Sequence, residues 1–211
     1  VESAMEYLRI FQKYDYRDIV VAMKAADPLI MIEANRLLIA TLDREGMDYP
    51  IHLGVTEAGN AEDGRAKSTI GIGTALLEGI GDTIRVSLTE APEKELPVCY
   101  SILQATRRRI TKTEFISCPS CGRTLFDLET VTNKVKERLG HMAGLRIAVM
   151  GCIVNGIGEM ADADFGYVGG KPGMINLFWK KDLVRRDVPE AEALDVLVEL
   201  IKEKGAWVEK K

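Results

Sequence analysis

The sequence predicts an α/β protein: a parallel α/β unit in roughly the first 90 residues, then a second α/β unit that carries a metal site. Three observations lead there. Short apolar runs alternate with helically spaced segments through the first unit, joined by short loops. The charged, two-proline stretch TEAPEKELP (89–97) separates the halves. Beyond it, cysteines stand where strands end.

The elements follow in order. ESAMEYLRIFQKY has apolar residues at helical spacing, and DIVVAMKA (18–25) is a short apolar run of the kind buried in a parallel sheet. Residues 28–45 open with Pro28 just inside a helix and stop before Gly46. YPIHLGVT is the next strand, residues 65–81 form a Gly-rich helix, and DTIRVSLT is a further strand. The pattern αβαβαβ is either doubly wound or part of a barrel. Three strands cannot close an eight-stranded barrel, and the chain opens inside a helix with no visible cap, as a start in mid-domain would. After the linker come a helix near 98–109, strand TEFISC, a Cys-rich turn, helix DLETVTNKVKERLGHM, strand LRIAVMGC, a Gly-rich loop, a strand from YVGG to MINLFWK, and a last helix PEAEALDVLVELIKEKG. The expected domains are therefore 1–90, a linker and helix over 91–112, and 113–211.

The 211 residues are 46% hydrophobic and 28% charged, which suits a globular protein with a real core. No apolar run approaches the ~20 residues of a membrane span, and VESAMEYLRIF has no signal-peptide pattern. Net charge is −4, so neither nucleic acid nor a membrane is an expected partner. Arg107, Arg108, Arg109 and Lys112 read as a solvated face. Four cysteines without a secretory context argue against a disulfide framework and for metal binding or catalysis.

Cys118-Pro-Ser-Cys121 is a C-x2-C pair, which alone fits zinc, a redox dithiol or iron–sulfur. Cys152 ends an apolar strand and opens the loop NGIGE. Strand ends in α/β units converge on one edge, so Cys152 can face the first pair, and three thiolates from two strand ends suit a cubane 4Fe–4S cluster. Structural zinc is the alternative; it needs a fourth ligand, and neither His52 nor His141 stands at finger spacing. Three thiolates leave one iron with a weaker ligand. Glu159, seven residues after Cys152, is either that oxygen ligand or an exposed loop acid. Cys99 reads as a buried small residue.

In the first unit, polar residues stand at the C-terminal ends of strands: Lys24, Glu57, Arg85 and Ser87. That edge is where parallel α/β folds bind ligands. Lys and Arg converging there suggest an anionic substrate such as a phosphate ester, with Glu57 as an acid/base or hydroxyl-binding group. The competing reading pairs Lys24 and Arg85 with local carboxylates. The glycines of STIGIGTALLEGIGD lack a Walker lysine and read as sites of close helix packing.

The strings VVAMKAADP, HLGVTEAG, KSTIGIGTALLEGIGDTIRVSLT, EFISCPSCGRT and MGCIVNGIGE, in this order, resemble the 4-hydroxy-3-methylbut-2-enyl diphosphate synthase family of the methylerythritol phosphate route to isoprenoids. The resemblance covers nearly the whole chain. It implies a partial TIM barrel followed by an iron–sulfur domain of the sulfite/nitrite-reductase type. It implies reductive conversion of 2-C-methyl-D-erythritol 2,4-cyclodiphosphate, with two electrons from ferredoxin or flavodoxin. The implied cluster ligands are Cys118, Cys121, Cys152 and Glu159. Lys24, Glu57, Arg85 and Ser87 match barrel residues that contact the cyclodiphosphate, and Asn155 matches a loop residue reaching substrate from the cluster side. A homodimer is implied, the barrel of one copy facing the cluster domain of the other. The compartment would be the cytoplasm in a bacterium or the plastid stroma in a plant or alga.

Three departures from the family pattern stand out. The N-terminal half of the barrel is absent, so this chain alone is expected to be inactive or a fragment. Ile157 replaces the proline of the usual NGPGE, removing a residue that would stiffen the loop. LDREGMDYP, SLTEAPE, LQATRRRITKTEFISC and MADADFGYVGG resemble the three-domain version of the family, yet only about a dozen residues separate ELPVC from TKTEF. Two other classes compete with the reductive enzyme: a non-catalytic module with a structural zinc or iron–sulfur site, and a sirohaem-type reductase relative, which would need a fourth cluster cysteine.

Overall fold

Helix starts and strand ends fall where local chemistry puts them. In the computed structural model, which describes residues 1–210 and at Asn155 the backbone alone, two units are found, Val1–Ile110 and Thr111 onward. The first begins with α1 (Glu2–Lys13), which buries Met5 and Leu8. In α2 (Pro28–Arg44), Pro28 takes the first turn, where its missing N–H costs nothing, and the Asp27 carboxylate accepts from Leu29 N–H at 2.8 Å. Then come β1 (His52–Gly54), α3 (Ala61–Leu77) and β2 (Thr83–Arg85). A tight turn at Pro92–Lys94 leads into α4 (Glu95–Ala105). Met31, Leu38, Ile51, Leu53, Ile72 and Leu76 form the core.

β1 and β2 pair in parallel, with Gly54 opposite Arg85. The run 18–25, expected to be a full strand, contributes a single parallel bridge from Val21 to Ile51. Its far side has no paired strand among the described residues, and Val20 is 58% exposed, so nothing extends the ladder. The segment is also held by buried Asn35 of α2, whose Nδ2 donates to the Met23 carbonyl at 3.1 Å. The sheet stays open; no closed barrel forms among the described residues. The glycines of α3 do serve packing: a Cβ on Gly71 would lie 2.6 Å from Val55 Cγ2. The basic run is not simply a solvated face. Arg108 Nε donates to the Leu76 carbonyl at the end of α3 (2.9 Å), and Arg109 lies over the Tyr100 ring.

The second unit is built from β3 (Glu114–Ser117), α5 (Leu128–Leu139), β4 (Arg146–Met150), α6 (Ile153–Glu159), β5 (Phe165–Lys171), β6 (Met174–Trp179), β7 (Asp182–Pro189) and α7 (Glu190–Glu203). The sheet order is β3-β4-β5-β6-β7, parallel through β5 and antiparallel beyond. Alternation along β4 splits the core. Ile147 and Val149 join the cluster built with α5 and α7, while Ala148 and Met150 join Met160, Val168 and Phe178 on the other face. The single strand expected from YVGG to MINLFWK is a hairpin, turned at Gly173 with φ +71, and DLVRRDVP adds an unforeseen strand. The loop expected at NGIGE is helix α6. No described helix is long and apolar enough to cross a membrane.

Candidate metal centre

Parallel pairing of β3 and β4 sets Ser117 beside Val149, so the chain leaves both strands side by side on one edge. Cys118 follows the first strand directly, and Gly151-Cys152 follow the second. Gly151 N–H donates to Cys118 Sγ at 3.3 Å. The intervening loop folds back on this edge: Leu125 N–H donates to the Gly151 carbonyl (3.0 Å), Cys121 N–H to Thr124 Oγ1 (3.1 Å), and Thr124 N–H to the Cys121 carbonyl (3.0 Å). Ser120 takes the left-handed φ of +66 that this turn requires. Gly169 on β5 admits the loop, because a Cβ there would lie 2.3 Å from the Gly151 carbonyl oxygen.

Cys118, Cys121, Cys152 and Glu159 line one cavity of about 140 Å³, together with Arg123 and Met150. Cys152 precedes α6 and Glu159 is its last residue, so the helix, rather than a flexible loop, carries the carboxylate to the cavity. Gly156 lies on its buried side; a Cβ there would meet Met150 Cβ at 3.0 Å. All four cysteines are free thiols. Cys99 is in the other unit, half-buried against its core. Among the described residues, no three His, Cys, Asp or Glu side chains form a set for a single metal ion. The three thiols share the lining of one cavity.

Arg123 dominates the electrostatics. Its backbone N–H and then its guanidinium bond the Cys121 sulfur, and with the Thr124 hydroxyl they hold that thiol below its ordinary value of 9.0. The guanidinium is in turn raised, first by Cys121 and further by the fields of Cys152 and Glu159. The sequence reading missed Arg123; its signal was a lone cation two residues after a thiol in CPSCGRT.

The first unit gathers a different chemistry. Lys24 lies across Gly54: a Cβ at Gly54 would be 3.2 Å from Lys24 Cε, 3.4 Å from its Nζ and 3.1 Å from the Arg85 carbonyl oxygen. His52 shares the Gly54 face of β1, and its Nδ1 lies 2.8 Å from Thr83 Oγ1. Burial, then the charges of Lys24 and Arg85, push the His52 imidazole below its ordinary 6.5. Lys24 and the Arg85 carbonyl thus both border Gly54, and His52, which does not stand at finger spacing, lies within the fields of both cations. Glu57 and Ser87 leave the same edge, three residues after Gly54 and two after Arg85. Glu57 is exposed and holds an uncommon φ of +53. The side chain of Asn155 lies outside the described residues.

Residues 1–100 match the family model described as the GcpE TIM-barrel domain, and residues 114–203 match that described as the GcpE protein C-terminal domain. The chain belongs to the GcpE family. Relatives in this family include a protein of Synechococcus sp. strain CC9605, 59% identical over 209 residues, covering 99% of this chain and 52% of the relative. Relatives from Prochlorococcus marinus strain MIT 9313 and Thermosynechococcus vestitus are 60% identical over 209 residues, covering 99% of this chain and 51% and 52% of their own lengths. All three are named 4-hydroxy-3-methylbut-2-en-1-yl diphosphate synthase (ferredoxin). The chain spans about half the length of the curated relatives it matches.

Proposed function

We propose that this chain belongs to the machinery that reduces 2-C-methyl-D-erythritol 2,4-cyclodiphosphate to (E)-4-hydroxy-3-methylbut-2-enyl diphosphate for isoprenoid synthesis. The observation that carries the reading is the cavity ringed by Cys118, Cys121, Cys152 and Glu159. Its donors are three soft sulfurs and one hard carboxylate. Three sulfurs and a carboxylate, with no histidine in the lining, suit a cluster whose irons are separately held better than the usual structural zinc sets. Cys118, Cys121 and Cys152 would hold a 4Fe–4S cluster, with Glu159 as the weaker fourth ligand. When bound, such a cluster supplies one-electron transfer and an iron open to an oxygen ligand.

The remaining work falls to side chains of the strand-edge site. Lys24 and Arg85 bind the diphosphate oxygens, since two cations at one strand edge match a doubly charged group. Ser87 donates to the same group, Asn155 contacts the substrate from the α6 side, and Glu57 orients a substrate hydroxyl or carries its proton. The balance requires two electrons and two protons, opening of one ring C–O bond to phosphate, and departure of a hydroxyl as water. Ferredoxin, which the relatives' names carry, or flavodoxin supplies the electrons in the bacterial cytoplasm or plastid stroma, and the active form is a homodimer. The functional segments are 1–90 of a TIM barrel, a connector over 91–112, and a cluster domain of the sulfite/nitrite-reductase type over 113–211.

Anaerobic reconstitution with iron and sulfide tests the reading. Brown protein whose visible absorbance bleaches on reduction supports it. Colourless protein with stoichiometric zinc identifies a structural metal module and refutes it.

A further inference from the structure

We propose that Arg123 sets the reduction potential of the cluster in this cavity, as a positioning and charge-balancing residue. The inference rests on the cluster reading above. Arg123 is the one cation among the described residues lining the cavity. Three thiolates and the Glu159 carboxylate bring four formal negative charges to a void of about 140 Å³. Arg123 lines that cavity together with Cys118, Cys121, Cys152 and Glu159, so its charge faces donors that come from both strand ends and from α6.

The position is built. Thr124, the next residue, exchanges hydrogen bonds with Cys121 through its hydroxyl and its N–H, and Leu125 N–H is tied to Gly151. These bonds fix the backbone on which Arg123 stands. An arginine suits the place because its planar fork can address a sulfur and a carboxylate together, whereas an ammonium acts as a point charge.

The sign follows from charge. Reduction adds an electron to an already negative group, so a nearby cation stabilises the reduced form and raises the potential. Removing Arg123 should leave the three thiols able to hold iron and lower the potential. A donor of fixed potential would then keep a smaller share of the protein reduced.

The test is a potentiometric titration of the reconstituted chain followed by electron paramagnetic resonance, with Arg123→Gln and Arg123→Lys beside the parent. Arg123→Gln should retain iron and sulfide, and its reduced-to-oxidised ratio at the parent's midpoint should fall about tenfold, a shift of about 59 mV for one electron. Arg123→Lys, which keeps the charge, should recover most of the shift. If Arg123→Gln takes up no cluster while Arg123→Lys does, with a midpoint near the parent's, the charge role stands. An Arg123→Gln protein with full cluster content and the parent's midpoint overturns the inference. So does a lysine variant shifted as far as glutamine, or loss of the cluster in both variants. A parent chain that takes up no iron and sulfide instead overturns the cluster reading itself, and that outcome is separate from the others.

Discussion

Gly54→Ala should disarm Lys24 without altering any charge. The new methyl would lie 3.1 Å from the Arg85 carbonyl oxygen and 3.2 Å from Lys24 Cε, both tighter than ordinary contact. The carbonyl belongs to β2, whose Arg85 is paired with Gly54, and cannot retreat without opening the two-stranded ladder. The lysine terminus is flexible and gives way. Lys24 is then displaced from the strand edge, and the charge-assisted diphosphate contact proposed for it should be lost, about 1.5–3 kcal/mol. Affinity should fall on the order of ten- to a hundredfold. Calorimetric titration with the cyclic diphosphate reads this for Gly54→Ala, Lys24→Ala and the double variant. Because the methyl acts through Lys24, the double variant should bind no more weakly than Lys24→Ala alone, a coupling of about 0.5–3 kcal/mol. Full affinity in Gly54→Ala, or losses that add in the double variant, would show that Gly54 does not act through Lys24.

Three further outcomes follow from the same geometry. Asn35→Leu strips the Met23 carbonyl of its donor and should cost about 1–3 kcal/mol in urea unfolding, with Lys24 loosened alongside. Gly169→Ala drives a Cβ to 2.3 Å from the Gly151 carbonyl; because backbone must move, about 2–4 kcal/mol should be lost and the cysteine cavity deformed, visible as a lower denaturant midpoint and poor iron retention. His52 is held below its ordinary 6.5, so the unfolded chain binds the proton more readily; stability from this residue is present above pH 6.5 and lost as pH falls below it. His52→Gln should flatten that limb of melting temperature against pH, and an unchanged profile would show that His52 carries none of it.

Much of this was legible in the sequence because it depends on local periodicity. Pro28 and Asp27 mark the start of α2, and alternation marks β4, whose end carries Cys152. C-x2-C and a third cysteine at a strand end pointed to one site, and the structure lines a single cavity with all three. What periodicity could not reveal were tertiary choices. The apolar run 18–25 looks like a strand, yet whether it extends a ladder depends on neighbours far along the chain, and here it makes one bridge. NGIGE reads as a loop because glycine is a poor helix former. Gly156 is tolerated in α6 because it packs closely against Met150, a contact that no local rule contains. Arg123 escaped notice because only folding brings Cys152 and Glu159 to the cavity that it lines. His52 was weighed as a zinc ligand and dismissed, while its place beside Lys24 and Arg85 follows from the pairing of β1 with β2.

The proposed iron–sulfur cluster rests on Cys118, Cys121 and Cys152 acting together. Iron, sulfide and zinc should be measured per chain after anaerobic reconstitution, in the parent and in single serine replacements of all four cysteines. Iron and acid-labile sulfide should appear in the equal amounts of a 4Fe–4S cluster, retained in Cys99→Ser and lost or severely reduced in Cys118→Ser, Cys121→Ser and Cys152→Ser. Stoichiometric zinc without sulfide, or a cluster that survives each of those three replacements, would contradict it.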